Sequence, residues 1–89
     1  MDIAESARKH QQEDRFTDDD ITHAVELALY VAEDGEDPDL VLYIGPDLAG
    51  RILEVVTVVR DDGSEMAIHA MKMRAKYEQL LPRQENPNG

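Results

Sequence analysis

The segment from Ile52 to Met71 constrains the fold most. From Ile52 to Arg60, Leu53, Val55, Thr57 and Val59 fall at every second position, alternating with Glu54, Val56, Val58 and Arg60. Asp61-Asp62-Gly63-Ser64 follows, and Glu65 to Met71 alternates again. A period of two over runs this long specifies strands, because successive side chains of a strand point to opposite faces. The four residues between them read as a hairpin turn, with Gly63 free to take positive φ. A lone hairpin is marginal in water, so the chain must supply more strands or a helix to cover it. The second face of the first strand is mixed, which suits a central strand only partly open to water. On the returning strand Met66, Ile68 and Ala70 are expected in the core. Ala67, His69 and Met71 then face away, with His69 beside Glu54 or its neighbours.

The flanking segments supply the cover. Leu40 to Ile44 reads as a strand stopped by Gly45-Pro46-Asp47, with Gly50 ending the connection. Leu29 to Glu33 reads as a shorter strand, and residues 34–39 as a loop by composition. Upstream, Thr17-Asp18-Asp19-Asp20 has the form of a helix start. The Thr17 hydroxyl accepts from a free first-turn amide, and the aspartates sit at the positive end of the helix dipole. Phe16 before the cap and Ile21 after it form a hydrophobic staple. Ile21, Ala24, Val25 and Ala28 then share one helical face. Ile3, Ala4 and Ala7 give Asp2 to Asp14 the spacing of a short amphipathic helix. Beyond Lys72 the period shifts to 3.6, with Met73, Tyr77, Leu80 and Leu81 on one face and Pro82 as the stop. The expected architecture is α+β: two N-terminal helices, an antiparallel sheet of about four strands with helices on one face, and a C-terminal helix. Residues 1–82 form one domain, and residues 83–89 are expected to be a disordered tail.

Several chemistries lack their residues. The chain has no cysteine, so it has neither a disulfide framework nor a thiolate metal site. His10, His23 and His69 share no metal-ligand spacing, and no HExxH or EF-hand loop is present. Gly45 to Gly50 lacks the Lys and Ser or Thr of a phosphate-binding loop. Ser6 and Ser64 sit in a helix and a turn with no nucleophile elbow. The reading therefore calls for no cofactor and no metal. No apolar run approaches the roughly 20 residues that cross a bilayer, and MDIAESARKH has no signal-peptide core, so a cytoplasmic protein is expected.

The net charge of −11 opposes nucleic-acid binding over the whole surface. It fits simple solubility or a basic partner. Against that background, six of the nine Lys and Arg residues fall from Arg51 onward. They accompany His69 and Tyr77: Arg51, Arg60, Lys72, Arg74, Lys76 and Arg83. Such a set can hold an RNA backbone. Arg and Lys stabilise charge on the phosphate, while His or Tyr moves protons to or from the 2′-hydroxyl and the leaving oxygen. The plainer alternative is a half-exposed strand histidine with cations that balance acidic neighbours.

The sequence resembles the small toxins of bacterial type II toxin–antitoxin systems, in particular the BrnT-like branch of the RelE/ParE-like superfamily. The resemblance rests on Ala7-Arg8-Lys9-His10, Ile44-Gly45 ahead of Gly50-Arg51, Leu53-Glu54-Val55-Val56, and Ile68-His69-Ala70 leading to Tyr77. It covers about residues 4 to 81. It implies a compact α+β toxin that cleaves RNA without a metal and is silenced by a cognate antitoxin protein. By that resemblance, Arg51, His69, Arg74 and Tyr77 would be catalytic, and Lys9, His10, Lys72 and Lys76 would bind RNA. The chain departs from the family in its acidity, and in Gln11-Gln12-Glu13-Asp14 where a Gly-containing turn is expected. A non-catalytic interaction module, either a decayed toxin or a partner-binding protein, is the alternative. Self-pairing into a homodimer stays open, because a free sheet edge pairs with a partner or with itself.

Overall fold

The computed structural model describes the chain except residues 34–36, 38 and 83–89. The expected tail and most of the expected 34–39 loop lie outside the described residues. Five strands form one sheet: β1 (Asp2–Ile3), β2 (Tyr30–Glu33), β3 (Leu40–Pro46), β4 (Ile52–Val59) and β5 (Glu65–Lys72). Their order is β1-β5-β4-β3-β2. The β2, β3, β4 and β5 neighbours pair antiparallel, as expected, while β1 adds a short parallel edge beside Met66 and Ala67. The mixed α+β class holds, with one strand more than expected.

One helix has the predicted form. Helix α2 (Asp18–Glu26) is capped by Thr17, whose hydroxyl accepts from the Asp20 amide while the Asp20 carboxylate accepts from the Thr17 amide. Phe16 and Ile21 both enter the core, with Ala24, Leu53, Val55, Ala67 and Ala70. The helix presses closely on β3. A Cβ on Gly45 would lie 2.1 Å from the Ala24 carbonyl oxygen, so that position needs glycine for space.

Two expected helices are different. The chain begins with β1, turns through a 3-10 segment (Glu5–Arg8), and makes only one α-helical turn, α1 (Gln11–Asp14). Ala4 is extended and its amide donates to the Ala67 carbonyl at 2.9 Å. Ala7 is fully buried. Pairing with β5 and burial on the sheet override a weak local helix preference. Arg15 ends α1 at φ 57°, in the left-handed region.

At the C-terminal end, β5 runs through Lys72 and Arg74 is still extended, so only a 3-10 segment (Ala75–Leu80) forms. The Met73 amide is taken by the Ile52 carbonyl and the Arg74 amide by the Glu54 carboxylate, which hold the chain out of helix geometry. This segment also lies across the face of the sheet opposite α2, because Glu54 alternates with the core residues Leu53 and Val55. The expectation of helices on one face is corrected accordingly.

The register of β5 contains the decisive irregularity. Val56 pairs with His69 but Thr57 pairs with Ala67, so Ile68 is an extra residue in a bulge. Ala67 and Ala70 are therefore both buried in the core, where strict alternation would place them on opposite faces. The expected core set Met66, Ile68 and Ala70 is corrected to Ala67 and Ala70. The Ser6 hydroxyl donates to the Ile68 carbonyl at 2.6 Å and satisfies the bulge. A bulge re-aims the side chains that follow it. Here it sends His69 to the Glu54 face.

Candidate functional site

Glu54 is the centre of the second face. It sits mid-strand in β4 with its side chain 1% exposed, in a position that an aliphatic residue would normally fill. A buried carboxylate needs partners to be tolerated, and Glu54 has four donors. The Arg74 guanidinium gives two, Nε at 2.9 Å to Oε1 and Nη2 at 2.8 Å to Oε2. The Arg74 amide gives a third at 3.1 Å, and His69 Nε2 a fourth at 3.1 Å. Burial pushes the carboxyl up, but the Arg74 side chain and amide and the His69 ring outweigh it and hold Glu54 below its usual value. Glu54 is thus an anion at neutral pH. An anion accepts only, so His69 Nε2 is the donor of this bond and carries a proton, while Nδ1 is not engaged by Glu54.

Other groups gather around this pair. The His10 ring stands edge-on to His69, with centroids 6.2 Å apart. The Tyr77 ring lies 5.8 Å from the Arg74 guanidinium carbon and 5.0 Å from Lys76 Nζ, within cation–π range. Tyr77 also walls a groove of about 190 Å³ whose floor includes Ala32, Leu42 and Val56, one cross-strand row that ends at His69. Of the residues singled out from sequence, His69, Arg74, Tyr77, His10 and Lys76 thus come together.

Arg51 is engaged elsewhere. Its Nε donates to the buried Asp47 carboxylate at 2.8 Å, Nη1 to the Asp14 carbonyl at 2.9 Å and Nη2 to the Arg15 carbonyl at 2.5 Å. It ties the β3–β4 connection to the end of α1. Lys9 is exposed beside the 3-10 segment. Lys72 is exposed at the end of β5, where its amide donates to the Asp14 carboxylate at 3.0 Å. His23 donates from Nδ1 to the Pro46 carbonyl at 2.7 Å, a structural role. Among the described residues no three His, Cys, Asp or Glu side chains converge as metal ligands.

Sequence reasoning placed His69 beside Glu54 but gave Glu54 itself no role. The signal was a single acid inside ILEVVTVV, where a central strand otherwise carries aliphatic residues and one Thr. No protein-family model, curated protein or solved structure matches the chain.

Proposed function

We propose that the chain is a toxin-type endoribonuclease that cleaves RNA by acid–base catalysis at the His69 cluster, without a metal. The observation that carries this reading is Glu54. A buried carboxylate that holds a histidine and an arginine at the surface adds little stability over an aliphatic residue, yet it fixes the tautomer and position of an imidazole as catalysis requires.

In this reading His69 Nδ1 takes the proton of a ribose 2′-hydroxyl. The 2′-oxygen bonds to phosphorus, the bond to the 5′-oxygen breaks, and His10 returns a proton to that leaving oxygen. The products are a 2′,3′-cyclic phosphate and a 5′-hydroxyl, so no water or redox partner is consumed. Glu54 acts as a positioning residue and stabilises the imidazolium that forms. Arg74 Nη1, which Glu54 does not engage, and Lys76 are the cations this reading assigns to the phosphate, whereas Lys72, expected to bind RNA, pairs with Leu53 and so lies on the α2 face of the sheet, away from His69. The Tyr77 wall of the groove offers a surface for a base. Arg51 contributes indirectly by holding the 47–51 connection. A cognate antitoxin protein is the partner this reading expects.

The test is cleavage of mixed single-stranded RNA in EDTA by the wild type, His69→Ala and Glu54→Gln. Cleavage by the wild type only, abolished by a 2′-deoxy substitution at the cut site, supports the assignment. Equal cleavage by His69→Ala removes it. A non-catalytic partner-binding role is favoured by one observation: Arg8, Arg51, Arg60 and Arg74 are each paired with a carboxylate, leaving few cations for phosphate. No cleavage of RNA by a folded wild type would select that reading.

A further inference from the structure

The two edges of the sheet are unlike. At the β5 edge, β1 pairs with Met66 and Ala67, Ser6 takes the Ile68 carbonyl, and Asp14 takes the Lys72 amide. At the other end of the order, β2 has β3 on one side and no strand on the other among the described residues. Leu27, Leu29 and Val31 lead into and along this edge at alternate positions, 55%, 50% and 54% exposed. They are three of the five large apolar residues that are exposed among those described.

The charge around this edge is one-sided. From Phe16 to Gly50, which spans α2, β2 and β3, there are ten Asp and Glu residues and no Lys or Arg. Glu26 and Glu33 are exposed beside the apolar row, and Asp37 and Asp39 are exposed just beyond it. A second copy of the chain would bring two anionic edges together, which costs free energy at every like-charge contact. A basic strand meets no such penalty.

We infer that the β2 edge is a docking site for an extended, basic segment of another protein, added as a sixth strand with apolar side chains over Leu29 and Val31 and Lys or Arg beside Glu26 and Glu33. Backbone pairing supplies affinity and the alternating side chains supply selectivity. Ala32 of β2 is shared with the groove, but Val31 lies in the Tyr43–Val55 row on the opposite face of the sheet from His69, and neither Leu29 nor Val31 has a part in the ribonuclease reading, so the inference stands or falls independently of it.

The probe is an acetylated Lys-Val alternating octapeptide added to the isotope-labelled full chain, followed by amide NMR. Shifts and slowed exchange centred on Leu27 to Glu33 are expected, with affinity falling by about tenfold between low and high salt. The Leu29→Thr/Val31→Thr variant removes apolar surface from two half-exposed positions while keeping β-forming residues and the charge. It should stay folded with a cooperative melt and bind the peptide about tenfold more weakly. A Glu-Val peptide should not bind. Four results would overturn the inference: no binding; equal binding of a Lys-Gly peptide; shifts over the acidic surface without protection of β2; or a dimer in sedimentation that itself buries β2.

Discussion

If Glu54 serves catalysis rather than stability, removing its charge alone should cost the fold more than removing the whole ion pair. In Glu54→Gln the shape is kept, but the two Arg74 guanidinium bonds and the His69 bond lose their charged acceptor. The new amide group also faces donors. Breaking a fully buried pair costs about 3–5 kcal/mol, and a charge-assisted bond is worth about 1.5–3 kcal/mol. Arg74 is 47% exposed and can rehydrate, so the cost falls to about 2 kcal/mol, or roughly 10 °C in melting temperature for a domain this small. In Glu54→Met/Arg74→Met no buried charge remains and the Met side chains fill similar volume. Stability should return to within about 1 kcal/mol of the wild type, while RNA cleavage is lost in both variants. Circular-dichroism melts and urea titrations measure the stabilities. If the double variant melts with or below Glu54→Gln, the pair holds the fold together. The functional argument built on its dispensability then fails.

Other consequences are as direct. Gly45→Ala should destabilise by about 3 kcal/mol in a urea titration, because the new methyl meets the Ala24 carbonyl and α2 must move. Arg15→Gly should stabilise by about 0.5 kcal/mol, since relief of the left-handed backbone slightly exceeds the added freedom of the unfolded chain. Glu54 and Asp20 are both held below their ordinary values of 4.5 and 3.8. At Asp20, burial pushes up but is outweighed by the Leu48 and Thr17 amides and the Thr17 hydroxyl. The unfolded chain therefore binds protons first, and the contribution of these groups should be complete above those values and lost as pH falls through the lower folded ones. Tyr43 works in the other direction. Burial and its 2.6 Å bond to Glu65 push its phenol up to about 12, from 10.0. In an ultraviolet titration it should ionise later than an unperturbed phenol, and stability should fall as pH rises through that interval.

The elements legible in the sequence are those whose local signals and tertiary contacts agree. The Thr17 capping box, the 52–71 hairpin and the strand at 40–44 each combine a periodic pattern with turn or cap residues of the right chemistry. The misread segments are those where a distant partner decides. Asp2 to Asp14 has helical spacing, but β5 offers its edge to Asp2 and Ile3, 64 residues away in sequence by the Asp2–Met66 pairing. Lys72 to Leu81 has helical spacing too, but Glu54 fixes the Arg74 backbone in an extended form. No window of sequence around either segment contains that information.

The same reasoning explains why the site was half legible. His69 and Arg74 stood out as residue types, whereas the device that joins them, the bulge at Ile68, left no mark in the local pattern. Without the bulge, the same residues in a regular strand with Ala67 in the core would carry His69 on the core side as well, away from Glu54. Deleting Ile68 removes the one residue that the bulge absorbs, so the strand becomes regular with Ala67 and Ala70 inward and His69 still beside Glu54. Imidazole nitrogen spectra should therefore keep the His69–Glu54 coupling, while stability falls by about 1 kcal/mol with loss of the Ser6 bond at the bulge. If the deletion variant lost that coupling, the bend that the bulge gives β5, and not the face that His69 occupies, would be what brings the ring to Glu54.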